Sequence, residues 1–327
     1  MNFMTQLPRF SSLLHFTLLA CAMVILARCP DARAQDSAPP QPVASPQEFA
    51  SPDEAIKALQ AATQADDKAA LLKIFGPEFP EILTGDAVED ANNVKAFAAR
   101  IAQSHHFVNV SDDNLALQVG PDNWPFPIPL VKVDGQWHFD TAAGKEELID
   151  RHIGKDELNA IGLCRAYVLA QQKYATMNLG SKYAQHIHSA PGKKDGLYWP
   201  PVKNGPVSPF GALLAQAQAE GYAIHDQGTG PHPFHGYYFK ILTRQGASAP
   251  GGKMDYMNNG NLSGGFALVA YPVHWGKSGI MTFIVNQDGK VYQRNLGAMT
   301  SVLVDFITEY DPTGPWVLVS DKGVLTR

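Results

Sequence analysis

Histidine is the first place to look for chemistry in this sequence. His232 and His235 stand three apart in Gly-Pro-His-Pro-Phe-His-Gly, just ahead of an apolar run. Imidazole titrates near neutral pH and is a common ligand for zinc or copper. With a nearby acid such as Asp195, the two histidines would suit a metal-assisted hydrolase. His186 with His188, and His105 with His106, are further pairs. A tetrahedral centre needs three or four ligands held together. No cysteine pair, no His-Glu-x-x-His and no acid cluster stands at matching spacing. The competing reading is of turn and surface histidines, and no cofactor is assigned.

Other chemistry-bearing residues also have plain readings. Gly276-Lys277-Ser278-Gly279 looks like a phosphate loop, but that motif needs a glycine five residues earlier and a helix afterwards. Position 271 is Tyr271 and the following residues read as a strand, which leaves a turn between strands. The same residues miss the G-x-S-x-G elbow by one position. Carboxylates crowd the span from Asp140 to Glu157, through Glu146, Glu147, Asp150 and Asp156. Paired acids suit glycoside hydrolysis. Here they alternate with Lys145, Arg151 and Lys155, which predicts a solvated helix face. Cys164 falls in an apolar helical stripe and reads as a small buried hydrophobe.

The aromatic residues are the better candidates for binding. Trp124, Phe126, Tyr198, Trp199, Phe234, Tyr237 and Tyr238 lie in loops or at strand edges, interleaved with proline and glycine. Such loops often carry binding surfaces. Tyrosine and tryptophan pair a flat apolar face with a polar tip, which suits a partner protein of the cell envelope or a cell-wall or polysaccharide ligand. The alternative is that they seal the joint between two halves of the chain.

The elements that position these residues follow from composition and period. The chain opens on a basic start ending at Arg9, an apolar run from Leu13 to Ala27, and Ala32-Arg33-Ala34. These are the parts of a secretory signal, cut after Ala34. The run is shorter than the ~20 residues of a spanning helix, although a retained anchor is the competing reading. No later segment is long and apolar enough to span a bilayer, so a periplasmic or secreted protein is expected. Residues 35–50 form a Pro/Ala/Ser-rich linker. The formal charge of −5, with no basic stripe, argues against a nucleic-acid partner.

Ser51-Pro52-Asp53-Glu54 is a capping box. It starts a helix through Leu59, and further helices are predicted over 68–75 and 90–104. Strands follow at 115–119, 130–133 and 136–139, the last two joined by the hairpin turn Asp134-Gly135. Trp124 to Pro129 should break the ladder. Helices are expected over 141–152 and, beyond Gly154, 155–177, then a short one over 210–219. Strands follow at 236–243, 265–271, 279–286 and 290–295, then a helix at 299–310 and a strand at 316–319. The chain thus reads as α+β, with a helical and antiparallel-sheet part over 51–152 and a long helix on an antiparallel sheet over 153–327.

Residues 51 to about 141, closing on Val133-Asp134-Gly135-Gln136-Trp137-His138-Phe139-Asp140, resemble the nuclear-transport-factor-2-like fold. The second part is similar in pattern to the globular region of type IV pilins and pseudopilins, without their apolar N-terminal helix half. The segments NWPFPIPLV, FDTAAGKEE, DGLYWP, FHGYYFKILT and GGFALVAYPVHWGKSGIMTFIVNQDGKVY resemble an exported bacterial family catalogued as domain of unknown function 2950. That resemblance implies no catalytic residues. Together these features suggest a non-catalytic binding or structural module of the envelope, with the His232/His235 hydrolase as the alternative.

Overall fold

A computed structural model describes residues 45–223 and 232–320. The leader and most of the linker lie outside the described residues. The first helix, α1 (Pro52–Gln64), starts where expected: the Ser51 hydroxyl accepts the Glu54 N–H, and Pro52 occupies the first turn. The Glu54 carboxylate reaches back to the Ala50 N–H, one residue before the cap, at 3.1 Å. Next come α2 (Lys68–Phe75), a 3-10 turn at Gly76–Glu81, and α3 (Ala87–Gln103), with Asp67 and Asp86 as the side-chain caps of the two helices.

Strands β1 (His105–Ser111), β2 (Asn114–Val119), β3 (Trp124–Pro125), β4 (Leu130–Val133) and β5 (Gln136–Phe139) follow. They form an antiparallel sheet in the order β1-β2-β4-β5, with β3 beside β2. The ladder is not broken where the prolines begin. Trp124 pairs with Val119 and Pro125 with Gln118, and the Phe126 N–H still donates to Leu117 O at 2.8 Å. Proline is tolerated because β3 is a two-residue edge piece. Asp134 and Gly135 both take positive φ, 51° and 84°, the geometry of a tight two-residue hairpin. The three helices cover this sheet around a core that includes Leu59, Ile74, Phe75, Leu117, Leu130 and Phe139.

The two helices expected on either side of Gly154 are one. α4 runs unbroken from Thr141 to Ala175, 35 residues, capped by the Asp140 carboxylate on the Ala143 N–H. Its length is about 52 Å. An interior glycine weakens a helix without ending it. The N-terminal turns of α4 bring Leu148 to the first core. Its C-terminal half brings Ala160, Cys164, Tyr167, Val168 and Tyr174 to a second.

That second core is built with β8 (Tyr237–Leu242), β13 (Ala267–Pro272), β14 (Met281–Asn286), β15 (Tyr292–Asn295) and β16 (Val317–Leu318). Their order is β16-β15-β14-β13-β8, antiparallel throughout. Consecutive residues Ala267 to Ala270 and Thr282 to Asn286 are buried, so both faces of the middle strands are covered. Between α4 and β8 lie a parallel pair, β6 (His186–His188) and β7 (Gly196–Tyr198), and a short α5 (Gly211–Ala219). Two small ribbons, β9 (Arg244–Gln245) with β10 (Met254–Asp255) and β11 (Met257–Asn258) with β12 (Asn261–Leu262), sit between β8 and β13. The helix expected at 299–310 is one turn, α6 (Thr300–Leu303), flanked by 3-10 turns. Helices and antiparallel sheets together make an α+β protein. Among the described residues no helix is long and apolar enough to cross a membrane.

Candidate ligand chamber and buried acid pair

Helices α1, α2 and α3, the β3 corner and the first turns of α4 line a half-open cavity of about 480 Å³. Its wall is mostly apolar and aromatic: Leu59, Leu71, Phe75, Phe97, Trp124 and Phe126 face it. Phe126 packs against Phe97 at 4.8 Å between ring centroids and against Phe139 at 6.4 Å. The period-3.6 spacing of Val94 and Phe97 on α3 turns both into the cavity.

One section of the wall is polar. Arg100, Arg151, Lys155, His152, Asn93 and Asp90 line it. Two guanidinium groups lie over the Trp124 ring, Arg151 5.0 Å and Arg100 5.8 Å from its centroid. Arg100 pairs with Asp122. Arg151 donates to Glu147 at 2.7 Å and to Pro125 O at 2.9 Å. Lys155 Nζ donates to Glu89 Oε1 at 2.7 Å and Asn93 Oδ1 at 3.2 Å. Burial holds the His152 imidazole below its usual pKa, which favours the neutral ring. Asp90 accepts from the Thr84 N–H and hydroxyl, both at 2.9 Å, and burial raises its pKa. Two buried donors, Arg100 Nε and Asn93 Nδ2, make no hydrogen bond.

Behind this wall lies a buried acid cluster. Asp86 caps α3 through Oδ1, while its Oδ2 accepts from the Tyr222 hydroxyl at 2.9 Å and the Gly236 N–H at 3.3 Å. Glu89 is 2% exposed and Asp156 fully buried. Glu89 Oε2 and both Asp156 oxygens lack any donor. Burial, and then the negative charge of Glu89, push the Asp156 carboxyl up to about 9. The neutral form of Asp156 is therefore favoured at neutral pH, which lets a second acid sit out of water near Glu89. The pair is closed over by Gly236, where a Cβ would run into the Asp156 carboxyl and Ser278.

The first turns of α3 divide two spaces. Asp90 and Asn93 line the first cavity; Asp86 and Val88 line a second, of about 530 Å³, with Leu214, Tyr222, Phe234 and Phe239. His232 and His188 also line the second.

The seven predicted aromatics do not form one exposed surface. Trp124 and Phe126 line the chamber. Phe234 lines the second cavity, edge-on to Tyr222 at 4.9 Å. Tyr238 is half-buried beside Tyr271. Tyr198, Trp199 and Tyr237 are buried in the second core. Trp199 Nε1 donates to Pro206 O and the Tyr237 hydroxyl to Met281 O. Loops rich in glycine and proline fold these rings inward because the sheet has apolar surface to cover there.

His235 pairs with Glu220 at 3.0 Å, and Asp195 accepts from the Ala190 N–H. Among the described residues no group of three or more His, Cys, Asp or Glu side chains is placed to hold a metal ion. Gly276 to Gly279 is a turn, with the Ser278 hydroxyl accepting the His274 N–H at 3.1 Å. Burial pushes the Cys164 thiol up to about 12, so it carries little thiolate. The solvated face expected of the acids over 140–157 fails at two places: Asp156 is buried, and Glu157 accepts the Ile280 and Met281 N–H groups at 2.9 and 3.0 Å. Asp86-Ala87-Val88-Glu89, an acid pair at capping-box spacing, was a readable signal for the start of α3. Arg100 and Arg151, far apart in sequence, gave none.

The model of the family described as Protein of unknown function (DUF2950) matches residues 46–319. The chain belongs to that family. No curated protein and no solved structure matches, so the pilin-like and nuclear-transport-factor-2-like resemblances stand on sequence pattern alone.

Proposed function

We propose that this DUF2950 protein is exported by its leader and works in the periplasm or outside the cell as a non-catalytic binding module, with a small apolar molecule held in the chamber beside Trp124 and Phe126. The carrying observation is the chamber itself: about 480 Å³ of aromatic-walled space with a few polar groups on one side. Ligand pockets are typically about 300–1,000 Å³ and have that division of labour. Trp124 and Phe126 carry the binding role expected of the aromatic loops, in a cavity in place of an open surface.

The alternative hydrolase at His232 and His235 draws no support from the pairing of His235 with Glu220. Titration of the mature protein with the neutral dye Nile red tests the binding reading. Val94→Trp, which fills the chamber, should weaken dye binding about tenfold or more while circular dichroism stays native. Unchanged dye binding in a folded Val94→Trp protein would overturn it.

A further inference from the structure

We infer that the chamber's ligand is an amphipathic anion: an apolar chain or ring system ending in a carboxylate or a similar single-charged acidic head. This rests on the binding reading above and adds the chemistry of the polar end.

The argument is one of charge and unmet hydrogen bonds. Three cations, Arg100, Arg151 and Lys155, line one section of an otherwise apolar wall. Lys155 is already held by the buried Glu89 at 2.7 Å, and the one acid lining the wall, Asp90, is already bonded twice by Thr84. Burial favours the neutral ring of His152 beside it. The two arginines are therefore the cations a ligand can claim.

The partners of both arginines are weak holders. Asp122 and Glu147 have side chains 61% and 57% exposed, so water screens both pairs. A carboxylate arriving from the chamber can replace them at little cost and gains a guanidinium fork. Arg100 Nε and Asn93 Nδ2 are buried without an acceptor. Donors in that state cost free energy until an acceptor arrives, and both belong to residues of the polar section. A cationic head would meet two guanidinium groups and, among the lining residues, a single acid, Asp90.

Isothermal titration of the mature protein with dodecanoate, dodecanol and dodecyltrimethylammonium, each below its micelle concentration, tests this. The three probes share a chain and differ in head charge. Dodecanoate should bind about tenfold or more tighter than dodecanol, and the ammonium weakest. The dodecanoate advantage should shrink as salt is raised, and Arg151→Gln should narrow the ratio between acid and alcohol. Equal binding of acid and alcohol would overturn the anion assignment and leave the chamber's binding role standing. Failure of all three probes would overturn both.

Discussion

Asp156 shows how a residue's neighbours reverse its ordinary chemistry. Sequence places it in Lys155-Asp156-Glu157, a run that reads as solvated. Gly236, contributed from far along the chain, lies against its carboxyl, so no local pattern announces its burial. Its folded pKa is raised to about 9 from 3.8. Between those values the folded protein keeps a proton that the unfolded chain has released. Stability contributed by this group is therefore full at low pH and falls as pH rises from near 4 to near 9. Urea unfolding at several pH values should show Asp156→Asn flattening a slope of up to about 1.4 kcal/mol per pH unit; a slope identical to wild type would refute the raised pKa. Gly236 is the matching constraint, with φ +71° and no room for a Cβ. Gly236→Ala should destabilise the protein by about 1–3 kcal/mol in the same assay.

At the scale of elements, sequence period located most helices and strands, since caps and alternation are local. Ser51, Asp134-Gly135 and the strand alternation of β2 are such features. The failures are where distant partners decide. Gly154 reads as a stop, yet α4 continues through it because both cores draw on that one helix, at Leu148 and at Ala160 to Tyr174. A Cβ at Gly154 would meet open space, and its φ is not positive. Gly154→Ala should raise stability by about 0.5–1 kcal/mol, read as a higher calorimetric midpoint; a lower midpoint would mean that α4 bends there. The region after Met299 failed the other way, as a helical pattern cut to a single turn.

For the whole molecule, the first cavity arises because three helices cap a small sheet without filling the space in front of the packed Phe97–Phe126 pair and Leu71. The chamber's aromatic members were legible as unusual residues in a proline-rich corner, while its cationic section was not, because Arg100 and Arg151 meet only when β3 folds between α3 and α4. One helix also ties the two cores together. Chemical unfolding followed by tryptophan fluorescence, which reports Trp124 and Trp137 in the first part and Trp199, Trp275 and Trp316 in the second, should coincide with the far-ultraviolet transition; separated midpoints would show that the halves melt independently.

The chamber can be interrogated most directly by an anomalous-scattering crystal structure of the mature protein soaked with an ω-bromoalkanoate. The bromine peak should lie among Val94, Phe97 and Phe126, with the carboxylate toward Arg100 and Arg151. A peak confined to the second cavity, between Leu214 and Phe234, or no peak at saturating ligand, would contradict the account.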